Sequence, residues 1–464
     1  MPFDLYPFQV EAVDKLADLP TQGLWMDAGI GKTATSTAIA LYKLAKGEVE
    51  QVLVLVPPIL ITNWVRWLSK IPHTQTVAYQ GTPAERSTIN LKVPTFIVMS
   101  LQIFKKDYAH VTKKLTKPLS IILDEAQSVK NAGNPVIKKK ASQNYKAILE
   151  FSHDKSIQLL SGTPISTPYD VYAYTKILRA NIYRNIQHFE ACHVAGRDYF
   201  GRVTRWAEMN ELATHMRYNA VRILKEEVLR DLPEVTYTPI YYKLDSAHHK
   251  LYTKLANEQL LDLGEDRQFD ATSAQKLYQA LQQIILNWGY FAGEGDKTSR
   301  GLEVLDEMLE ETDKLVVFTN YRMTNAMLTE RLKGKDVRFI WGGSHGSQQE
   351  SIDYFVNTPS CKALIMSTQA GGVGIDSLQN VCSDMLFLEI PVVPAAFHQA
   401  VARLHRVGQK SAVNVRIAVA EQTCVVSMFH DLLEKDQIIG RVVRNHRDLR
   451  DAIFGVEQFD RSSR

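Results

Sequence analysis

Two series of short apolar strands, separated by segments of helix length, predict an α/β chain of two tandem parallel-sheet lobes with helical insertions. The first series is "QVLVLVP" (51–57), "TFIVMS" (95–100), "SIILDEA" (120–126) and "IQLLSG" (157–162). The second starts near residue 314 with "KLVVFTN", followed by "VRFIWGG", "KALIMST", "DMLFLEI" and "VNVRIAV". Continuous apolar strands of this kind are buried on both faces, which is the signature of a parallel sheet covered by helices. A glycine-rich stretch, "WMDAGIGKTATS" (25–36), precedes the first series and shows where its chemistry should lie.

Between the two series, from about Tyr169 to Gly301, apolar residues recur at helical spacing, as in "SAQKLYQALQQIILNWGYF". The lobes are therefore expected at 1–235 and 236–464, with helical insertions at about 169–230 and 245–300. "RDLPEVTYTPIYYKL" (230–244) reads as the crossing between them, because Pro233 and Pro239 interrupt helices and favour extended chain. A chain of 464 residues is long enough for two to four domains. There is no tandem repeat and no long low-complexity linker.

The formal charge of +3 excludes a global polybasic field. Lysines do cluster at Lys105–Lys106, at Lys113, Lys114 and Lys117, and at 138–140, and arginines recur at 441, 444, 447 and 450. Any one such run is more often a solvated face than a binding site. The four cysteines, Cys192, Cys361, Cys382 and Cys424, have no paired spacing, so neither a zinc site nor a disulfide framework follows. No secretory signal and no membrane-spanning run of about 20 apolar residues is visible, and a cytosolic location is expected.

In "AGIGKT" the backbone amides, Lys32 and Thr33 could cradle phosphates and a metal ion. The full phosphate-loop pattern wants a glycine five residues before the Gly–Lys pair, where this chain has Met26, so a tight glycine turn before a helix is an open alternative. About 90 residues later, "IILDEAQ" puts Asp124 and Glu125 at the carboxyl end of a buried strand, where open α/β sheets bind ligands. Two motifs in this order favour a nucleotide site. Asp124 would hold Mg²⁺ and Glu125 would orient and deprotonate the attacking water.

The segments "LYPFQVEAV", "DAGIGKT", "VPPILITNWVRWL", "LDEAQSVKN", "LSGTPI", "STQAGGVGID" and "QAVARLHRVGQ" occur in the order and spacing of superfamily-two helicase-like ATPases. The chain most resembles their SWI/SNF-type branch, the double-stranded DNA translocases, over essentially its whole length. "SVKN" after the acidic pair, "DLPEV" at the lobe junction and "RLHRVGQ" near the end distinguish this branch from DEAD-box and DEAH-box proteins. The resemblance implies two RecA-like lobes with ATP and Mg²⁺ as cofactors. Gln9 would read the adenine edge. Gly29, Ile30, Gly31, Lys32, Thr33 and Ala34 would hold the phosphates, with Thr33 also on the metal. Ser161, Gly162 and Thr163 would link hydrolysis to lobe movement. Gly374, Asp376 and Gln399 would approach the nucleotide from the second lobe, and Arg403 and Arg406 would neutralise charge on the transferring phosphoryl group. Arg403 and Arg406 are three apart and would share a helix face, where a salt bridge is the plainer role.

The same resemblance implies a DNA track. Its candidates are Pro57, Asn63 with Trp64, Ser100 with Gln102, and Lys130 in the first lobe, then Asn320, Ser367, Thr368 and nearby Gln369 in the second. Trp64 and Trp67, three apart, are more often core than a base-stacking pair. The expected partner is DNA, chiefly double-stranded and gripped without regard to sequence, since no helix-turn-helix or zinc finger is visible. No membrane role and no protein partner is indicated, and a monomer is the working expectation. Gln127 stands where the branch usually has histidine, Val392 and Val393 where it shows Trp and Asn, "SGTPIST" lacks a later asparagine, and Gln349 lies near an expected arginine. None of these removes a proposed catalytic group, so an active but divergent enzyme is expected. Without a visible histone-reading domain, a compact bacterial or viral translocase in repair, recombination or replication is a better expectation than nucleosome remodelling. A strand-separating, fork-remodelling or annealing helicase is the alternative. A wedge hairpin would mark it, and the sequence does not locate one.

Overall fold

The computed structural model describes residues 2–443 apart from 136–138, 200, 202, 230, 259, 263–267, 271–273, 294–298, 343–346 and 369–376. The chain forms two compact units. One runs to Arg230 and takes back the segment that begins at Ile438, and the other is Asp231–Gln437.

The first unit is built on a seven-stranded sheet. Its strands are β1 (Thr21–Met26), β2 (Gln51–Val56), β3 (Thr76–Tyr79), β4 (Phe96–Ser100), β5 (Leu119–Asp124) and β6 (Ser156–Ser161), together with β9 (Ala220–Ile223). The order is β3-β4-β2-β5-β6-β1-β9 and every pairing is parallel. β1, β2, β4 and β5 are buried along their whole length, which is why they read as unbroken apolar runs. Helices cover both faces, with one core around Leu53, Ile97 and Ile121 and another around Val52, Val54 and Ile122. Alternate residues of the same strands therefore supply opposite cores.

The insertion expected to be helical at 169–230 is only partly so. Helices Tyr169–Ile177, Ile186–His193 and Met209–His215 are present, but β7 (Val194–Arg197) and β8 (Val203–Trp206) pair antiparallel as a hairpin, and β9 joins the main sheet beside β1. These are four-residue strands, too short to impose a period on the sequence.

The second unit has β10 (Val235–Tyr242), then a two-stranded ribbon of β11 (Leu260–Asp262) and β12 (Gln268–Asp270). Its sheet is completed by β13 (Leu315–Thr319), β14 (Val337–Ile340), β15 (Ala363–Ser367), β16 (Asp384–Phe387) and β17 (Val413–Ala420). That six-stranded sheet has the order β10-β17-β16-β13-β15-β14, again all parallel. The segment read as a crossing is thus an edge strand. Among the described residues β10 pairs only with β17, so Pro239 can occupy it without breaking an internal ladder. Helices Ser246–Glu258, Ala274–Leu286 and Trp288–Ala292 lie in the region of the second insertion, which is not wholly helical because the β11–β12 ribbon falls between the first two. Both units are parallel-sheet α/β lobes, as the apolar runs predict; that each is RecA-like is what the family resemblance implies. Among the described residues no helix is long and apolar enough to cross a membrane. The four cysteines are free thiols.

Candidate nucleotide site and nucleic-acid edge

β1 ends at Met26, and the chain then turns into the helix Lys32–Ala45 through Gly29 and Gly31, both at positive φ (86° and 85°). Gly31 is the left-handed N-cap of that helix. A Cβ there would lie 2.1 Å from Gln9 Nε2, so glycine is required both by the backbone angle and by the close approach. The unpaired amides and the positive end of the helix dipole therefore open onto the loop, with Lys32 as the first helical residue. Ile30 is buried in the core, and Thr33 and Ala34 are half-buried at the start of the helix.

Lys32 Nζ donates to the Met26 carbonyl at 2.9 Å and to the Asp27 carbonyl at 3.1 Å. Burial lowers its pKa, and the carboxylates of Glu125, Asp124 and Asp27 oppose that shift. β5 delivers the acidic pair. Burial first, then the neighbouring Glu125 charge, holds the Asp124 carboxyl above its ordinary range, against the lowering effects of Trp64 and Lys32. Trp64 Nε1 donates to Asp124 Oδ2 at 2.9 Å, and the Glu125 amide donates to Asp124 Oδ1 at 2.9 Å. Glu125 sits at φ 54°, a left-handed conformation uncommon for a side-chain-bearing residue. The turn breaks the alternation of the strand and allows two adjacent acids to serve one site.

The end of β6 closes the group. Ser161 Oγ donates to Gln127 Oε1 at 2.7 Å and accepts from the Thr163 amide at 3.1 Å, while Gln127 Nε2 donates to Glu125 Oε2. A Cβ on Gly162 would come within 3.5 Å of Lys32 Nζ and 3.3 Å of the Ala28 amide. "LSGT" therefore packs directly on the phosphate loop, and Gln127 joins it to Glu125 through its carboxamide.

Gln9, expected to read a base, is 2% exposed. Its Oε1 accepts from the Tyr6 amide at 2.9 Å, and its Nε2 donates to the Ile30 carbonyl at 2.9 Å. In this conformation its carboxamide braces the loop. Sequence reading also missed Arg222 on β9. Its Nη2 meets Asp27 Oδ1 at 2.8 Å and its Nη1 donates to the Trp25 carbonyl, while the Lys225 amide donates to Asp27 Oδ2 at 3.0 Å. Burial raises the Asp27 pKa, but Arg222 and Lys225 outweigh it and leave the carboxyl below its ordinary value. No local signal joins residues 195 positions apart; only the short strand β9 does.

These residues fit a magnesium-bound nucleoside triphosphate: a glycine-lined cradle at a helix N-terminus, a half-buried lysine, and a buried carboxylate at a strand end. No group of three or more His, Cys, Asp or Glu is gathered for a metal among the described residues. A cation held by Asp124 and Thr33 would thus take its remaining ligands from phosphate oxygens and water.

Other first-unit candidates share the carboxyl edge of the sheet. Pro57 follows β2, and the exposed Asn63 and buried Trp64 lie on the helix Ile61–Leu68. Trp64 is 2% exposed, so the core role is the observed one, with its N–H aimed at Asp124. Ser100 ends β4 and caps the next helix by accepting from the Ile103 amide at 3.2 Å. Lys130 pairs with Asp170 at 3.4 Å and donates to Ser166.

In the second unit, Asn320 and Thr368 meet: Thr368 Oγ1 donates to Asn320 Oδ1 at 2.6 Å, beside Ser367 at the end of β15. Glu389, which the sequence reading did not single out, organises this edge. Its Oε2 accepts from the amides of Asn320 (2.6 Å) and Tyr321 (3.0 Å), and its Oε1 from Thr324 Oγ1 (2.6 Å). Gln399 lies on the helix Pro394–Val401, which ends before Arg403 and Arg406. Those two half-buried arginines occupy successive turns, not one helix face, because the Arg403 amide bonds to Ala400 and that of Arg406 to Leu404. Gln409 locks these turns by donating to the Cys382 carbonyl and accepting from the Lys410 and Ser411 amides. Gly374, Asp376 and Gln369 lie outside the described residues.

Comparison with known proteins agrees with these motifs. The SNF2-related domain model matches residues 9–287 and the helicase conserved C-terminal domain model matches 300–408. An uncharacterized ATP-dependent helicase of Mycoplasma genitalium is 25% identical over 429 residues, 89% of this chain and 39% of that protein. The SWI/SNF-related matrix-associated actin-dependent regulator of chromatin subfamily A-like protein 1 of Xenopus tropicalis is 25% identical, over 94% of this chain and 45% of its own length. The chain thus spans less than half the length of these two relatives. For YqhH, an uncharacterized ATP-dependent helicase of Bacillus subtilis, identity is 22%, with 96% and 81% covered. The solved Sulfolobus solfataricus SWI2/SNF2 ATPase core in complex with dsDNA aligns with a TM-score of 0.44 and 20% identity, over 96% of this chain and 93% of that one. With its SNF2-related domain followed by a helicase C-terminal domain, the chain belongs to the SNF2 family of helicase-like ATPases.

Proposed function

We propose that the protein is a DNA-dependent ATPase that couples ATP hydrolysis to movement along double-stranded DNA. The observation that carries the ATPase reading is the convergence of Lys32, Asp124 and Glu125 at one sheet edge, with Gly162 packed on the lysine. When bound, ATP with Mg²⁺ supplies the scissile phosphoanhydride. The amides of 29–33 and Lys32 orient its phosphates, Asp124 and Thr33 hold the cation, and Glu125 takes a proton from water at its carboxylate. Arg403 and Arg406 are proposed to supply positive charge to the transferring phosphoryl group; replacing either should lower turnover and leave nucleotide binding in place. The DNA reading rests on the family, on relatives named as ATP-dependent helicases, and on the hydroxyl, amide and cationic groups at Ser100, Asn63, Lys130, Asn320 and Thr368.

The test is ATP turnover measured without DNA and with single-stranded, blunt duplex and forked DNA. Duplex should stimulate, and triplex displacement should report ATP-driven movement. Stimulation by single strands alone would remove the duplex assignment. Glu125→Gln should bind nucleotide and fail to turn it over, whereas Lys32→Ala should bind weakly. A strand-separating or fork-remodelling role is the second reading, favoured by one observation: the β7–β8 hairpin, with Tyr199 exposed just after β7.

A further inference from the structure

An acid opens the proposed phosphate cradle, and an arginine from the neighbouring strand holds it. Asp27 directly follows β1 and begins the loop that leads to Gly29, Gly31 and Lys32. Its carbonyl accepts from Lys32 Nζ at 3.1 Å, so the lysine rests on the same residue that carries the carboxylate. The Asp27 amide donates to the Ile223 carbonyl at 3.2 Å. Its Oδ1 meets Arg222 Nη2 at 2.8 Å, and its Oδ2 accepts from the Lys225 amide at 3.0 Å. Arg222 Nη1 donates to the Trp25 carbonyl at 3.1 Å, so one guanidinium spans the end of β1 and the acid beyond it. Asp27 is therefore held by residues 222–225 on one side and by Lys32 on the other.

The sheet places this pair. β9 runs parallel to β1, with Trp25 opposite Arg222 and Met26 opposite Ile223. The Arg222 side chain is 6% exposed and that of Asp27 27%, so water and salt screen the two charges only in part. Burial lowers the Lys32 pKa, Glu125, Asp124 and then Asp27 raise it, and Arg222 lowers it. The charge on Asp27 thus reaches the lysine, and Arg222 offsets it. Without the arginine, this carboxylate would harm phosphate binding in two ways. It would compete with phosphate oxygens for Lys32, and as a like charge it would repel the phosphates themselves.

We infer that Arg222 is a positioning residue for nucleotide binding: by neutralising Asp27 it keeps Lys32 and the amides of 29–33 available to phosphate. The inference rests on the nucleotide-site reading and extends it to a strand outside the phosphate loop and the acidic pair.

The test uses the full chain as Arg222→Gln, Arg222→Lys, Asp27→Asn and the double variant Arg222→Gln with Asp27→Asn. Affinity for a fluorescent ATP analogue with Mg²⁺ is measured by equilibrium titration, and folding by urea denaturation without nucleotide. Arg222→Gln should bind about tenfold more weakly, because it leaves an uncompensated acid in the loop. Arg222→Lys keeps the charge and should stay within about threefold of the wild type. Asp27→Asn removes the acid, and its carboxamide oxygen can still accept from the Lys225 amide. The double variant should therefore regain the affinity that Arg222→Gln loses and return to within about threefold of the wild type. A merely structural role predicts the reverse, with the second substitution adding to the damage. Unchanged affinity in Arg222→Gln, or a double variant that binds about tenfold or more weakly, overturns the inference. The double variant also guards against misfolding of Arg222→Gln, since it buries no unpaired charge. A folded wild-type chain that does not bind the analogue overturns the nucleotide-site reading instead, a result read before any variant is made.

Discussion

The indole N–H of Trp64 donates to the Asp124 carboxylate across 2.9 Å, joining the helix after β2 to the proposed metal-binding acid at the end of β5. Both groups are buried, so this bond is screened little by water. Together with the Glu125 amide on Oδ1, it fixes the orientation of the carboxylate, whose remaining lone pairs are available to a cation. Outer-shell donors of this kind orient a ligand without touching the metal.

Trp64→Phe keeps an aromatic ring, smaller than the indole, and removes the donor. The fold should survive with a loss of about 1–3 kcal/mol, the range for a buried hydrogen bond to a charged group. The Mg²⁺ concentration needed for half-maximal nucleotide binding should rise about tenfold. Mg²⁺ titration of a fluorescent nucleotide reads this directly, and an unchanged Mg²⁺ requirement would assign Trp64 to packing alone.

Gln9 and Gly31 make a second linked pair. Gly31→Ala meets two penalties, a left-handed backbone worth about 1–2 kcal/mol and a Cβ driven into the Gln9 carboxamide. Gln9→Ala removes the second penalty and leaves the first. In a double-mutant cycle by urea denaturation, Gly31→Ala should therefore harm the Gln9→Ala background less than the wild type. Strict additivity would mean that the close approach does not exist in solution.

Much of this was legible in the chain because the physics is local. β2, β4, β5, β13 and β15 are buried on both faces, so they appear as continuous apolar runs. Gly31 and Lys32 declare themselves because a left-handed cap followed by a lysine is a local constraint. What was missed depends on distant partners. Arg222 reaches Asp27 only because β9 lies beside β1. Glu389 reaches the Asn320–Tyr321 turn from a neighbouring strand's end, 69 residues away. The hairpin strands mix half-buried and exposed positions without regular alternation over four residues and leave no period to detect. The Arg403–Arg406 spacing suggested a helix face, yet the helix stops at Val401.

The link from Ser161 through Gln127 to Glu125 makes a prediction about turnover. Gln127 accepts from Ser161 with one end of its carboxamide and donates to Glu125 with the other, so it orients the proposed base. Gln127→Ala should leave nucleotide affinity within about twofold and lower kcat about ten- to hundredfold, as loss of positioning does. Binding by equilibrium titration and turnover by phosphate release separate the two effects. Equal losses in both would show that Gln127 supports the loop as a whole.

Glu389 yields the clearest pH dependence. Burial pushes its carboxyl from the ordinary 4.5 up to about 7, although Thr324 and the Asn320 and Tyr321 amides favour the charged form. Between these two values the folded chain holds a proton that the unfolded chain has released. Its contribution to stability is thus fully present below about pH 4.5, falls as pH rises, and is lost by about pH 7. The full swing is of the order of 3 kcal/mol for a shift of this size. Glu389→Gln cannot titrate, yet its carboxamide oxygen can still accept from the two amides. The variant should therefore be relatively weakest near pH 5 and should recover against the wild type by pH 8, as read from urea denaturation at a series of pH values. A wild-type-minus-variant difference that stays flat from pH 5 to pH 8 would show that Glu389 keeps its charge throughout. In that case the three donors at the Asn320 edge would outweigh the burial that surrounds them.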